Sequence, residues 1–461
     1  MKILTFKDKR YWTLLRKVAV PITLQNLIFN SFTLVDNILV GGLGEANIAA
    51  VGIANKFTFI FMLFLFGINS GANILSAQYW GKRDIHGVRK VLGLSLFLGL
   101  IVTIPFTLIG LIFPRFIIGF FSNDVEVIKQ GAIYLGIIAV TYPLNAISSS
   151  FSMQSRGVGR ANVPLYSSMA GFCANAFLDY ALIYGKFGFP NLGVKGAAIA
   201  TVVAKTVECG ILLYITYSRK YELAAKFKEF TGYTKEFLLR FMHPVLPVIV
   251  TEVFWALGVS GYTYFYGVLG TEAVATVQIL DVVNGLFLAV FMGVGSGIGA
   301  IVGNLIGAKE EDLAQVYAKR SAALSVGFGI IMSFGLLLIA PSFLKLFAIS
   351  EVTKAIAEKT IIVYACFMTV RIINQFMIVG VCRGGGDTLF TAMLDIGGPW
   401  LIGLPMAYLG VRVLGYPLPI VMAMIQIEEV VKASLSIWRL FSGKWIRNLV
   451  EDSPEGVVNI R

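Results

Sequence analysis

Charged side chains are scarce in this 461-residue chain: Asp, Glu, Lys and Arg make up 14% of it, whereas hydrophobic residues make up 57%. A soluble globular protein has about 25% charged residues. Because no single soluble core could hide so much apolar surface, we predict a membrane protein that crosses the bilayer many times. The net charge of +12 does not indicate nucleic-acid binding, since the basic residues lie at the ends of apolar runs.

Residues that usually build catalytic and metal sites are equally few. The sequence holds two histidines, His86 and His243, which are too far apart to suggest a metal site. None of its four cysteines forms a CxxC pair, and it has neither an HExxH-type motif nor a P-loop. We therefore expect no metal, no cofactor and no enzymatic activity, and no direct use of ATP.

Long apolar segments dominate the rest of the sequence. A helix needs about 20 apolar residues to cross about 30 Å of hydrocarbon. The alternation that is typical of barrel strands is absent. The fold class is therefore predicted to be all-α, a polytopic membrane protein with twelve transmembrane helices. The predicted spans are 13–40, 48–79, 91–113, 128–153, 162–185, 196–217, 241–269, 274–305, 317–340, 356–381, 389–411 and 416–440.

The chain contains an internal repeat. Residues 21–84 match residues 247–310 at a shift of 226, and later motifs, such as the Arg-Gly pairs at Arg156 and Arg383, match at a shift of 227. Duplicated membrane bundles are common in transporters that alternate between two faces of a bilayer. We predict two pseudo-symmetric six-helix bundles. The predicted parts are an N-terminal lobe (1–218), a cytoplasmic linker (219–240) and a C-terminal lobe (241–461).

The distribution of Lys and Arg predicts the orientation in the membrane. If the N-terminus is cytoplasmic, the inner loops and termini hold 26 of these residues, and the outer loops hold 8. Both termini are therefore predicted to lie in the cytoplasm, with the protein in the cell (inner) membrane. The linker is predicted to contain an amphipathic stretch at the inner surface.

Ionisable residues inside membrane helices are costly and usually face a cavity or a partner. At 1.5 Å per residue, four polar residues of the N-terminal lobe fall in one layer about 10 Å beneath the outer surface, and Asn175 lies one turn deeper. These four are Asp36, Tyr134, Asp179 and Thr201. The layer is predicted to form a pocket for a proton or a small cation. As the alternative, Lys56 and Lys205 neutralise the two aspartates in structural ion pairs.

The acids of the C-terminal lobe do not follow the repeat. Glu252 lies near the middle of the seventh span and Glu428 near the middle of the twelfth. We assign Glu252, Glu428 and Lys205 to a substrate site or a second cation site.

Two structural ion pairs are also considered in this lobe. Arg371 and Asp395 are predicted to form a salt bridge, because they lie at similar depths in neighbouring spans. As an alternative to a role in a cation or substrate site, Glu252 could be the buried partner of Lys432.

Several motifs resemble those of the multidrug and toxic compound extrusion (MATE) family of the MOP flippase superfamily. In chain order they are VGGLG after Asp36, SGANILSAQYWGKRD, SRGVGRAN, LGVKGAAIAT and CRGGGDT. The resemblance implies two six-helix bundles around a central cleft that opens alternately to the two sides. It implies export of organic, often cationic, compounds against an inflow of protons or sodium. We expect a monomer that works in the lipid bilayer on a small organic substrate, with no nucleic-acid partner.

The resemblance also implies roles for particular residues. In one branch of the family the cation site includes the residues that match Asp36, Tyr134, Asn175, Asp179 and Thr201. In another branch, a Glu that matches Glu252 serves the C-terminal lobe, but its acidic partner has no counterpart near Ile372. Coupling through the N-terminal lobe is therefore the preferred interpretation, with the ion left open between H⁺ and Na⁺.

The alternative function is a flippase for lipid-linked precursors from the same superfamily. Such a protein moves large anionic substrates and would need several unpaired cations in its cavity. The predicted spans hold four cations against eight acids, which favours the exporter. Lys205 and Lys432, at matching positions of the repeat, keep the flippase open.

Overall fold

The computed structural model describes residues 8–345 and 349–451, which are helical almost throughout and include no β-strand. Within this part of the chain, nine helices are each long and apolar enough to cross a membrane, and one bent pair makes a tenth. The predicted all-α polytopic membrane fold is confirmed. Each of the twelve predicted spans coincides with one helix or with consecutive helical segments.

The first half of the chain, up to residue 218, contains six of these spans. A break between α5 and α6 bends the fourth span by 49°. It lies four residues before Pro143, whose ring clashes with the carbonyl one turn back. The helices are α1 (Lys9–Gly41), α2 (Glu45–Gly81), α3 (Ile85–Ile112), α4 (Pro114–Phe121), α5 (Val125–Ile138), α6 (Thr141–Gly157), α7 (Asn162–Tyr184) and α8 (Val194–Ser218).

The second half, from residue 235, follows a short connecting helix, α9 (Phe227–Thr231), which packs on α3. Its last spans are less regular than those of the first half. π-Helical turns extend α13 to Arg383 and join α14 to α15, where Pro399 and Pro405 remove backbone donors. The helices are α10 (Lys235–Val268), α11 (Thr271–Gly307), α12 (Glu311–Leu344), α13 (Glu351–Asn374), α14 (Thr388–Gly397), α15 (Leu404–Tyr408), α16 (Leu418–Ile425) and α17 (Ile427–Ser442).

The two halves meet through pairs of helices that the repeat relates to each other. Helix α1 packs on α11, and its repeat equivalent α10 packs on α2. Glycines allow both approaches. A Cβ on Gly67 would lie 2.8 Å from the Cα of Ile249, and one on its repeat equivalent Gly293 would lie 2.6 Å from the Cα of Thr23. Small residues of this kind let membrane helices approach closely without a hydrophobic driving force.

Residues 443–451, here called the C-terminal strap, cross from one half to the other beside Gly81. The Gln78 side chain on α2 donates to the carbonyl of Arg447 at 2.9 Å and accepts from the N–H of Leu449 at 2.8 Å. On the other side, the N–H of Arg447 donates to the carbonyl of Gly385 at 2.9 Å. Trp445 is fully buried. The strap therefore links the halves at one end of the molecule.

Candidate functional site

Two aspartates and an asparagine form a buried polar cluster in the first half. Helix α1 carries Asp36 and α7 carries Asn175 and Asp179, and the packing of these helices places the three side chains next to one another. Asn175 and Asp179 are buried. Within the described protein, both polar atoms of Asn175, both oxygens of Asp179 and one oxygen of Asp36 have no hydrogen-bond partner outside the cluster. Buried polar atoms are rarely left unpaired, so this cluster suits a bound cation or proton.

The remaining two residues of the predicted pocket lie beside the cluster. Tyr134 on α5 is buried near both Asp36 and Asp179, and its hydroxyl faces Thr201 of α8. The Thr201 hydroxyl donates to the carbonyl of Ala197 at 3.0 Å. The structure thus brings together all five residues that were assigned to cation coupling.

Neither lysine forms the ion pair that was considered for the aspartates. Lys205 Nζ lies 2.8 Å from Glu208 Oε2 instead, and the other oxygen of Glu208 accepts from Ser168 at 2.7 Å. Lys56 is exposed and has no ion-pair partner among the described residues. Direct pairing of Asp36 or Asp179 with these lysines is therefore wrong.

A cavity of about 220 Å³ lies between the two halves. Part of its wall is apolar and includes Phe66, Trp255, Phe291 and Met292. Its charged lining consists of Arg156, Glu252, Arg371, Arg383, Asp395, Glu429 and Lys432. An apolar wall with a few charged groups is typical of sites for small organic molecules.

Arg383 joins two acids at this cavity. Its Nη1 donates to Glu252 at 3.0 Å and its Nη2 donates to Asp395 at 3.2 Å. The predicted salt bridge between Arg371 and Asp395 is therefore wrong, and Arg371 instead stacks over the ring of Tyr364 at 4.4 Å. The direct partner of Glu252 is also Arg383 rather than Lys432.

Two neighbouring glutamates of α17 have different surroundings. Glu429 lines the cavity, where Lys432 lies 3.4 Å away and the amide of Asn374 donates to it at 2.6 Å. Glu428 accepts from the hydroxyl of Tyr262 at 2.6 Å and does not line the cavity. The residues assigned to a second site are thus dispersed, because Glu252 lines the cavity and Glu428 and Lys205 do not.

Two arginines that line the cavity were assigned to inner loops from the sequence and were not predicted as site residues. Arg156 lies in the last turn of α6 and Arg383 at the end of the π-helical segment after α13, and both line the cavity. The signal was available, because the same Arg-Gly motif occurs at equivalent positions of the two halves.

The chain matches a known protein family. The MatE family model matches residues 21–181 and 247–409, which together cover more than half of the chain. The chain belongs to the MATE family of transporters. The two matched stretches begin 226 residues apart, at the shift of the internal repeat.

Curated MATE relatives are similar along most of their length. A probable multidrug resistance protein NorM from Thermotoga maritima is 26% identical over 439 residues, which cover 94% of this chain and 93% of that protein. A probable multidrug resistance protein YoeA from Bacillus subtilis is 25% identical over 404 residues, 86% of each chain. A solved outward-facing multidrug resistance MATE transporter of the MOP superfamily shares the fold, with a TM-score of 0.85 and 18% identity over 94% of this chain and 96% of that one.

Proposed function

We propose that this MATE family member is a secondary active transporter that exports small amphipathic organic compounds in exchange for protons or sodium ions. The observation that carries this proposal is the cluster of Asp36, Asn175 and Asp179. Both oxygens of Asp179, the side-chain oxygen of Asn175 and one oxygen of Asp36 have no hydrogen-bond partner outside the cluster in the described protein. A proton or Na⁺ would satisfy these oxygens. The names of the relatives, which are multidrug resistance proteins, support an organic substrate.

The packing of the halves supports an alternating-access mechanism. The contact of α1 with α11 is the repeat equivalent of the contact of α10 with α2, so the halves can rock about a pseudo-symmetric seam. A cation in the first-half cluster can bias this equilibrium only if it binds one state more tightly than the other. We infer that Asp36 on α1 transmits that bias, because α1 also contacts the second half.

The flippase for lipid-linked precursors remains the second candidate, because one observation favours it. Arg156 and Arg371 line the cavity without an ion-pair partner in the described part of the chain. A cavity of about 220 Å³, however, suits a small molecule better than a lipid-linked saccharide. The exporter is therefore preferred.

Flux measurements on purified protein in liposomes test the proposed function. Vesicles would be loaded with three dansyl compounds of different charge: dansylglycine, dansylglycinamide and dansylcadaverine. An imposed gradient of H⁺ or Na⁺ should drive at least one compound against its own gradient, and an ionophore that collapses the ion gradient should stop this. Equal flux with and without both gradients, for all three compounds, would contradict ion-coupled export.

A further inference from the structure

We propose that the cavity between the halves recognises an acidic group of its substrate, a carboxylate on a small aromatic compound, and that Arg156 is the residue that binds it. This inference rests on the proposed export function and specifies the substrate class. It reverses the expectation of a cationic substrate that the family resemblance gave.

Every carboxylate of the cavity lining is already paired. Glu252 and Asp395 share the guanidinium of Arg383, at 3.0 and 3.2 Å. Glu429 lies 3.4 Å from Lys432 and accepts from Asn374. A cationic substrate would have to displace one of these internal cations.

Arg156, in contrast, faces the cavity without an ion-pair partner among the residues that the structure describes. Its Nη2 donates to the uncharged side chain of Gln25 at 2.7 Å, and its Nη1 approaches the sulfur of Met153 at 3.4 Å. Its Nε has no hydrogen-bond partner in the described structure. A guanidinium carries five N–H donors in a planar fork, which matches a carboxylate with two parallel hydrogen bonds. Nη1 and Nη2 each have a second N–H that these contacts do not use, whereas Nε is buried, so Arg156 keeps two donors for such a group.

The internal repeat explains why Arg156 has no acidic partner while its equivalent Arg383 has two. At the shifts of the repeat, Glu252 corresponds to Asn26, and Asp395 corresponds to Ser168. The first half thus retains the arginine and replaces both acids with uncharged residues. A substrate carboxylate can therefore bind Arg156 in the way that Glu252 and Asp395 bind Arg383.

Arg371 adds a second cation to the same cavity. It stacks over Tyr364 at 4.4 Å and forms no ion pair in the described ranges, although Asp281, Glu428 and Glu429 act on it from greater distances. The lining thus contains four cations and three carboxylates, all three of which are engaged. Asp281 and Glu428 lie outside the lining, so the surplus of the lining itself is one positive charge, which favours an anion.

Size and polarity narrow the class of ligand. Sites for drug-sized molecules have volumes of roughly 300–1,000 Å³, and this cavity is smaller, at about 220 Å³. The aromatic side chains of Phe66, Trp255 and Phe291 in its wall suit a ring system. A compact aromatic carboxylate is consistent with both features, and we infer such a ligand rather than a lipid-linked pyrophosphate.

Equilibrium binding of three dansyl compounds to the full-length protein in nanodiscs tests this inference without any ion gradient. Dansylglycine carries a carboxylate, dansylglycinamide is its neutral isostere and dansylcadaverine carries an amine. We expect dansylglycine to have the lowest Kd, about tenfold below that of dansylglycinamide, as a charge-assisted bidentate contact provides. If dansylglycine does not have the lowest Kd, the proposal is wrong. If a polyprenyl pyrophosphate displaces dansylglycine with a still lower Kd, the size assignment is wrong.

Single substitutions test which arginines bind the carboxylate. Arg156→Gln should raise the Kd of dansylglycine about tenfold and leave that of dansylglycinamide within about twofold. Arg371→Gln should also raise the Kd of dansylglycine, by a smaller factor. This variant tests the proposal if Arg156→Gln does not fold. The matched control is Arg160→Gln, which removes an arginine one turn further along that pairs with Glu222 outside the cavity. An unchanged Kd for dansylglycine in both cavity variants would overturn the role of these arginines. Coupled flux that persists in that case would leave the proposed export function intact.

Discussion

Arg383 Nη1 lies 3.0 Å from Glu252 Oε1 at the cavity between the two halves, and the arginine side chain is 5% exposed. The same guanidinium holds Asp395 at 3.2 Å. A buried carboxylate that loses its partner is expensive, at about 3–5 kcal/mol for a broken buried pair. Arg383 therefore stabilises two ionised carboxylates in the cavity wall.

Removal of the Arg383 charge should destabilise the protein. Arg383→Gln leaves Glu252 and Asp395 without their shared cation, so we expect a clearly lower unfolding temperature in a thermal-shift measurement. The triple variant Arg383→Gln, Glu252→Gln, Asp395→Asn should recover part of the loss, because no buried charge is then unpaired. As a control, Lys129→Gln breaks an exposed pair and should change little. Equal unfolding temperatures for Arg383→Gln and the control would contradict a structural role for this arginine.

The C-terminal strap should stabilise the contact between the two halves. Gln78→Ala removes two hydrogen bonds to the strap, at 2.9 and 2.8 Å, and leaves partly buried backbone groups unpaired. We expect a loss of about 2 kcal/mol, read as a lower unfolding temperature. Gln130→Ala, at a glutamine that bonds Glu126 on the surface, is the matched control. The prediction fails if the two alanine variants unfold at the same temperature.

Labelling of single cysteines in a cysteine-free background tests the orientation in the membrane. Positions 83, 226 and 309 should react only from the cytoplasmic side, and positions 45, 188 and 272 only from outside. All six are exposed in the structure and lie in loops or at helix ends, so burial within the protein would not explain a lack of reaction. Labelling of position 226 by an impermeant reagent added to intact cells would reverse the orientation.

Substrate affinity should depend on pH through the first-half cluster. Protons that favour the state with low substrate affinity must, by reciprocity, be bound less tightly when substrate is present. The affinity for dansylglycinamide, which is neutral near physiological pH, should therefore fall as the pH decreases. This dependence should vanish in Asp36→Asn and persist in Glu252→Gln. Loss of the dependence in Glu252→Gln alone would place the coupling in the second half.

More of the fold than of the candidate site could be predicted from the sequence. Apolar length and the repeat were enough for the helices, because these signals extend over whole spans. The five residues assigned to cation coupling could be placed from their depth, since the depth of each follows from the number of residues to a helix end. The ion-pair partners could not be predicted. Arg383 meets Glu252 and Asp395 because of the rotation of three helices about their axes, which the sequence does not specify. Arg156 and Arg383 were assigned to loops because they end helices, although their side chains point back to the cavity.

The central claim is that the cluster of Asp36, Asn175 and Asp179 couples transport to a cation, and driven transport by Asp36→Asn tests it most directly. Liposomes with an imposed H⁺ or Na⁺ gradient would contain wild type, Asp36→Asn, or Asp312→Asn as a control at an exposed acid outside the cluster. We expect Asp36→Asn to lose uphill transport of the dansyl compound while it keeps substrate binding and a wild-type unfolding temperature. The control should transport like the wild type. Wild-type rates of uphill transport in Asp36→Asn would contradict the account.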